Sequence, residues 1–170
     1  MSSSHLERLR SLHTEIDLLA AGVASQHSLR CGRGCNSCCT DDLTVFEVEA
    51  ERIRAEFGTL LETEAPAAPG GCAFLAVDGS CRVYAARPYV CRTQGLPLRW
   101  LEEDDAEEIV ELRDICPLNA EAVAPELLEE DGCWTIGPFE ERLADLQAEA
   151  DGGEMRRVHL RALFAAGGRT

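Results

Sequence analysis

Nine cysteines occur in 170 residues, and four of them stand together in Cys31-Gly32-Arg33-Gly34-Cys35-Asn36-Ser37-Cys38-Cys39. This C-x3-C-x2-C-C run is dense enough for several sulfurs to meet at one centre. Gly32 and Gly34 permit backbone conformations that larger residues resist, and Asn36 and Ser37 are turn formers. The segment therefore reads as a loop wrapped around a metal ion or cluster. A disulfide between neighbours Cys38 and Cys39 would be strained, and an odd total leaves one thiol over in any all-disulfide scheme. Cys72, Cys81, Cys91, Cys116 and Cys133 follow. Short extended segments can return Cys72 and Cys81 to one place, as ribbon-type metal sites do.

Side chains of adjacent residues diverge in extended structure, so Cys38 and Cys39 are expected to serve two neighbouring centres, or to divide into a ligand and a supporting or bridging thiolate. Eight thiolates suit two zincs, or a zinc beside an iron–sulfur cluster; they also suit one four-cysteine cluster with redox-active spares. Arg30, Arg33, Arg82 and Arg92 lie next to or within two residues of a cysteine and are candidates for offsetting thiolate charge. His5, His13, His27 and His159 lack the paired spacing of histidine metal sites and are not assigned as ligands. Cys133, between Asp131-Gly132 and Trp134, is expected to be a small buried hydrophobe at a turn entering a short strand.

Composition narrows the function further. The formal charge is -15 and every basic residue is arginine, so a broad nucleic-acid surface is not expected, and lysine-based covalent chemistry has no lysine to use. Met1 to Arg8 lacks the apolar core of a signal peptide and no apolar run reaches membrane length. The expectation is a cytoplasmic protein with reduced thiols and no membrane partner. Its partners are metal ions, and the sequence names no protein partner. No GxGxxG, P-loop or GxSxG element is present, which favours binding over catalysis.

The elements that position the cysteines follow from periodicity. Leu6, Leu9, Leu12, Ile16, Leu19 and Val23 predict an amphipathic surface helix from Ser4 to Ser25 that delivers the chain into the cysteine loop. Thr44 and Glu47 form a capping box for a helix with Val48, Ile53 and Phe57 inward and Gly58 as its stop. Glu62 to Gly71 reads as a linker, and Cys72 to Tyr84 as a hairpin-like element around Asp78-Gly79. Pro88 to Arg92 is a helical turn. Leu96–Leu101 and Glu108–Leu112 form a hairpin with a solvated acidic tip at 102–107. Helices are predicted at Ala120–Glu129, from Pro138 with Phe139, Leu143 and Leu146 inward, and at Met155–Ala166. At 45% hydrophobic residues and 170 in all, this amounts to one domain with a real core. The predicted fold class is α+β: a small, mostly helical single domain with short hairpins around a cysteine-ligated metal centre. Residues 1–30 supply its N-terminal helix, 31–117 the metal-binding core and 118–170 a C-terminal helical part.

The whole pattern resembles the YkgJ-like cysteine-cluster family of zinc- or iron-chelating domains. The matching residues are Cys31, Cys35, Cys38 and Cys39, then Cys72-Ala73-Phe74-Leu75 with Gly79 and Cys81, Tyr84, Arg87-Pro88, Cys91-Arg92 and Cys116. The resemblance implies a metal site made of Cys31, Cys35, Cys38, Cys39, Cys72, Cys81, Cys91 and Cys116, holding zinc or iron, including an iron–sulfur cluster. Cys133 falls outside it. Flagellin lysine-N-methylases are similar in their cysteine cluster but larger. Cys31-x3-Cys35-x2-Cys38 also matches the cluster run of radical S-adenosylmethionine enzymes. A barrel of that kind needs about 200 residues or more, which the remaining chain cannot supply. The function expected is a protein that holds, buffers or senses metal. The alternative is a zinc- or iron–sulfur-dependent enzyme acting on a protein side chain, lysine-methylase-like, or in redox chemistry.

Overall fold

In a computed structural model the described residues are 3–32, 34–105, 107–120 and 124–164. In chain order they form α1 (Ser3–Ala24), β1 (Thr44–Phe46), α2 (Glu47–Thr63), α3 (Tyr89–Thr93), β2 (Leu98–Glu103), β3 (Ile109–Asp114), α4 (Pro117–Ala120), β4 (Trp134–Thr135), α5 (Pro138–Asp151) and β5 (Arg157–His159). Single 3-10 turns lie at Tyr84–Ala86, Pro125–Leu127, Glu130–Gly132 and Leu160–Leu163. The class is α+β with two small sheets. On α1 Leu6 and Val23 are only half-buried and Leu19 is exposed, but the spacing holds over the middle of the helix, where Leu9, Leu12 and Ile16 are buried. His13, assigned to a surface helix by its sequence, is buried among them on the same element. None of the described helices is long and apolar enough to cross a membrane.

The residues group into two compact units, one of residues 1–12, 32–88 and 143–170, the other of residues 13–31 and 89–142. In the first, β1 pairs antiparallel with β5, Val45 facing Val158. The core beside this pair gathers Ile53, Phe74, Val83, Leu160 and Phe164, with the rings of Phe74 and Phe164 5.0 Å apart. Packing of this kind, in a chain with few aromatics, rests on aliphatic burial of about 25 cal/mol per Å².

Several expectations fail here for identifiable reasons. Thr44 does not cap α2, because it lies inside β1; the residue before the helix is Phe46, which makes no side-chain cap. The orphan donors at the helix start are met from far along the chain. Glu47 N–H donates to the Arg156 carbonyl (3.0 Å), and Val48 N–H to Oε1 of the fully buried Gln147 (2.9 Å). Gly58 does not stop α2. The backbone bends at Phe57 and resumes, which carries Leu61 into the core. The segment predicted as a helix at Met155–Ala166 is instead β5 and a 3-10 turn, with residues 165 and 166 outside those described. Met155 takes a left-handed φ of 55° and Val158 is committed to Val45.

In the second unit β2 and β3 form the expected hairpin, with Trp100 opposite Leu112, and β4 adds in parallel to β2 at Leu98–Trp134. The described residues of the acidic tip are exposed. Cys133 enters β4 as expected and packs with Ile115 and Leu128. Trp134 donates from Nε1 to the Tyr89 hydroxyl (2.9 Å) and stacks on Phe139. Helix Ala120–Glu129 is not formed. α4 ends at Ala120, residues 121–123 lie outside those described, and Pro125 holds Ala124 extended before a single 3-10 turn.

Replacing Gln147 by Leu leaves the Val48 N–H buried without its acceptor. Metal-free protein carrying Gln147→Leu is expected to lose about 1–3 kcal/mol of stability by urea unfolding, whereas an exposed Leu19→Gln change on α1 leaves the midpoint near wild type.

Candidate metal centre

All nine cysteines are free thiols. The loop that carries Cys35, Cys38 and Cys39 is folded by two backbone turns, Cys35 N–H to the Gly32 carbonyl (3.0 Å) and Cys39 N–H to the Asn36 carbonyl (2.9 Å). Its middle sits directly on the turn at Asp78-Gly79. A Cβ on Gly79, whose φ is +78°, would stand 3.1 Å from both the Gly34 carbonyl oxygen and Asn36 Nδ2. The close approach is therefore available only to glycine. Cys72 N–H donates to the Cys39 carbonyl (2.9 Å), which ties the second cysteine segment to the first. Cys81 is brought back beside Leu75 by one antiparallel bridge, and Arg82 N–H donates to the Phe74 carbonyl. The expected hairpin at Cys72–Tyr84 is thus reduced to a bridge around a tight turn, which still returns Cys81 towards Cys72.

Cys39 consequently feels three other thiols. Burial pushes Cys39 up to about 12, helped by the negative charges of Cys38, Cys72 and Cys81 and by a hydrogen bond with the Cys38 thiol. The neighbouring thiols of Cys38 and Cys39 therefore do not diverge as an extended strand would make them. They lie in a turn, where the alternation of a strand does not apply. Burial raises Cys72 and Cys81 as well. Against that rise, Phe74 N–H donates to the Cys72 sulfur and Val83 N–H to the Cys81 sulfur, two backbone donors aimed at would-be thiolates.

Two arginines set this region: Arg161, which no motif singles out, and Arg87 of the matched Arg87-Pro88 pair. Arg161 donates to Asp41 Oδ1 (2.5 Å) and to the carbonyls of Ala67 (2.6 Å) and Gly71 (2.9 Å), clamping the segments that lead away from Cys39 and into Cys72. Its charge favours ionised Cys72, and that of Arg87 favours ionised Cys81. Of the four arginines singled out by position, Arg82 does favour ionised Cys72 and Cys81, but its donors go to Glu64 and to the Ala65 and Ala73 carbonyls. Arg92 is buried and paired with Asp17 (2.5 Å), Arg30 offers its backbone N–H to Asn119, and Arg33 is outside the described residues.

Cys31, Cys91 and Cys116 belong to the second unit. Cys31 is exposed, Cys91 lies on α3, and the Cys116 carbonyl accepts the N–H groups of Asn119 (2.7 Å) and Ala120 at the start of α4. Asn119, which no sequence motif singles out, donates from Nδ2 to the Cys31 sulfur (3.3 Å). Cys133 is buried apart in its own apolar cluster.

The donor set fits zinc or iron. Thiolates are soft anionic ligands, and the N–H groups aimed at Cys72 and Cys81 suit sulfur that carries charge. As the side chains stand, no three His, Cys, Asp or Glu groups among the described residues have the spacing of a closed ion site. Cys39 feels the charge of the other three sulfurs, and side chains would have to turn inward for several of them to share one ion.

The family described as "CxxCxxCC: Putative zinc- or iron-chelating domain" matches residues 30–117, just over half the chain. The chain belongs to that family. No curated protein and no solved structure matches it. The CxxCxxCC span contains every cysteine of the two thiol groups together with Cys35, and it excludes Cys133. It also ends short of Asn119 and far from Arg161, so neither belongs to the pattern that defines the family.

The raised thiols fix the sign of a pH effect. A folded-state pKa above the unfolded value means that the metal-free fold holds these protons more tightly, so it is favoured below the ordinary thiol range. That advantage is lost as pH rises through that range towards about 12. Metal-free Cys39→Ala is expected to lose less stability than wild type between neutral pH and pH about 10, read as the fall in melting temperature of each.

Proposed function

We propose that the protein holds, buffers or senses zinc or iron through the cysteine thiolates of its CxxCxxCC span, in two sets. Cys38, Cys39, Cys72 and Cys81 make the first, and Cys31, Cys91 and Cys116 the second, with Cys35 on the loop that joins them in sequence. The observation that carries this reading is the Cys39 thiol, free and pushed up by burial and by the charges of Cys38, Cys72 and Cys81, while backbone N–H groups point at the Cys72 and Cys81 sulfurs. Such a group is costly as a set of bare thiolates and serves no packing purpose that alanine or serine would not serve. A bound zinc or iron, or an iron–sulfur cluster, supplies the positive charge that lets the thiolates coexist. The residues supply the rest. Phe74 and Val83 N–H groups orient the Cys72 and Cys81 sulfurs, Arg161 fixes the segment that leads into Cys72, and Phe74 and Phe164 share the apolar cluster that contains Cys72. Nine free thiols suit a reducing compartment, the cytoplasm.

Binding has to displace thiol protons, so affinity rises with pH, by about tenfold per pH unit for each proton released. Protein purified anaerobically is expected to carry zinc or iron, and a chelator is expected to lower its melting temperature. Brown colour with acid-labile sulfide identifies a cluster, and a colourless protein identifies zinc. Cys39→Ser and Cys81→Ser should each lose more than half of the metal, and Cys133→Ala should keep it. Wild-type protein without zinc or iron, or metal loss from Cys133→Ala equal to that from the other two, overturns the reading.

A further inference from the structure

Asn119 is almost completely buried, at 1% exposure, in the first turn after Cys116-Pro117. Both polar groups of its side chain and its backbone N–H are committed. Oδ1 accepts the backbone N–H of Arg30 (2.7 Å), Nδ2 donates to the Gly95 carbonyl (2.8 Å) and to the Cys31 sulfur (3.3 Å), and its own N–H donates to the Cys116 carbonyl (2.7 Å). The orientation of the amide follows from its partners. An N–H needs the oxygen and a carbonyl needs the nitrogen, so Nδ2 has to face Gly95 and the sulfur. One buried residue therefore links, through its side chain, the residue before Cys31, the sulfur of Cys31 and the turn that follows Cys91 on α3, and through its backbone N–H the carbonyl of Cys116.

Gly95 completes the arrangement. Its φ is +89°, and a Cβ built there would lie 2.4 Å from the Cys31 sulfur. That distance is far inside van der Waals contact, so the sulfur occupies the space that the missing side chain leaves. The Cys31 sulfur is thus seated against the Gly95 backbone and receives the Asn119 amide donor, although the residue as a whole is exposed. A loop cysteine without a role would have no need of such a seat, and a buried asparagine that needed only partners could complete its bonds to the backbone alone.

We propose that Asn119 is the positioning residue of Cys31: its amide N–H holds the sulfur in the orientation from which it binds zinc or iron, and Gly95 keeps the space open. The inference rests on the metal-binding reading above, and extends the site to a residue beyond the family span. Hydrogen bonds to a metal-bound thiolate strengthen as the sulfur gains charge, so the donor matters more in the loaded protein than in the empty one.

A double-mutant cycle on zinc affinity tests it, with zinc alone as the probe and wild type, Asn119→Asp, Cys31→Ser and the double variant compared. Asn119→Asp keeps the shape and the acceptor for Arg30 N–H but removes the donor to both the Cys31 sulfur and the Gly95 carbonyl. It is expected to weaken zinc binding by about tenfold, and to add no further loss in the Cys31→Ser background. With cobalt as a second probe, the thiolate-to-cobalt absorption should shift in Asn119→Asp relative to wild type, and should not differ between Cys31→Ser and the double variant. Asn119→Ala, checked for folding by circular dichroism, repeats the cycle without adding a carboxylate. Equal losses in both backgrounds, or unchanged affinity and spectrum in both Asn119 variants, overturn the role of Asn119 and leave the metal reading standing. Wild-type protein that binds neither zinc nor cobalt overturns both.

Discussion

Anionic sulfur repels anionic sulfur, and the first unit is built around a place where that repulsion is concentrated. Two unit charges about 4 Å apart in an effective dielectric of about 20 repel by about 4 kcal/mol. A domain of this size is held together by only about 5–15 kcal/mol. Cys39 among Cys38, Cys72 and Cys81 therefore cannot be one of several bare thiolates. Either protons stay on the sulfurs or a cation joins them. The elevated Cys39 thiol is the first solution. The N–H groups of Phe74 and Val83, and the charges of Arg82, Arg87 and Arg161, are of use chiefly in the second.

The backbone around these sulfurs answers the same constraint. Close approach of thiols demands close approach of the segments that bear them, so the loop at Gly34–Asn36 is laid against Gly79, and the Cys39 carbonyl is bonded to Cys72 N–H. Neither contact involves the sulfurs. The segments that bear the thiols are therefore held together by main-chain bonds and by the Arg161 clamp, with no bond through sulfur.

Much of this was legible in the sequence because its signals are local. The C-x3-C-x2-C-C run, the Asp78-Gly79 turn, the β2–β3 hairpin and the apolar stripe of α1 each follow from a few neighbouring residues. What escaped is non-local. Asn119 and Arg161 have no motif, and their roles depend on partners that the fold brings from 88 and 120 residues away. The missing helix at Met155–Ala166 has the same origin. Val158 and Leu163 have helical spacing, but Val158 is claimed by Val45 in a strand pair, and tertiary pairing outweighs a propensity worth a few tenths of a kcal/mol per residue. Cys38 and Cys39 illustrate the converse: extended-chain geometry separates such neighbours, and a turn joins them.

The pairing of β1 with β5 also governs the order of events during synthesis. Thr44, at the entrance to α2, bonds Arg157, which lies 113 residues later, and the start of α2 waits for Gln147 and Arg156. Contacts of such long sequence separation form late, because loop closure has to precede any reward from the contact. The cysteine loop thus leaves the ribosome well before the residues that complete its unit exist. For that interval its thiols hang on an unfinished chain, open to oxidants and to stray soft metals. Selectivity for the final occupant then rests on the finished fold and on the chain being shielded until its last residues are made.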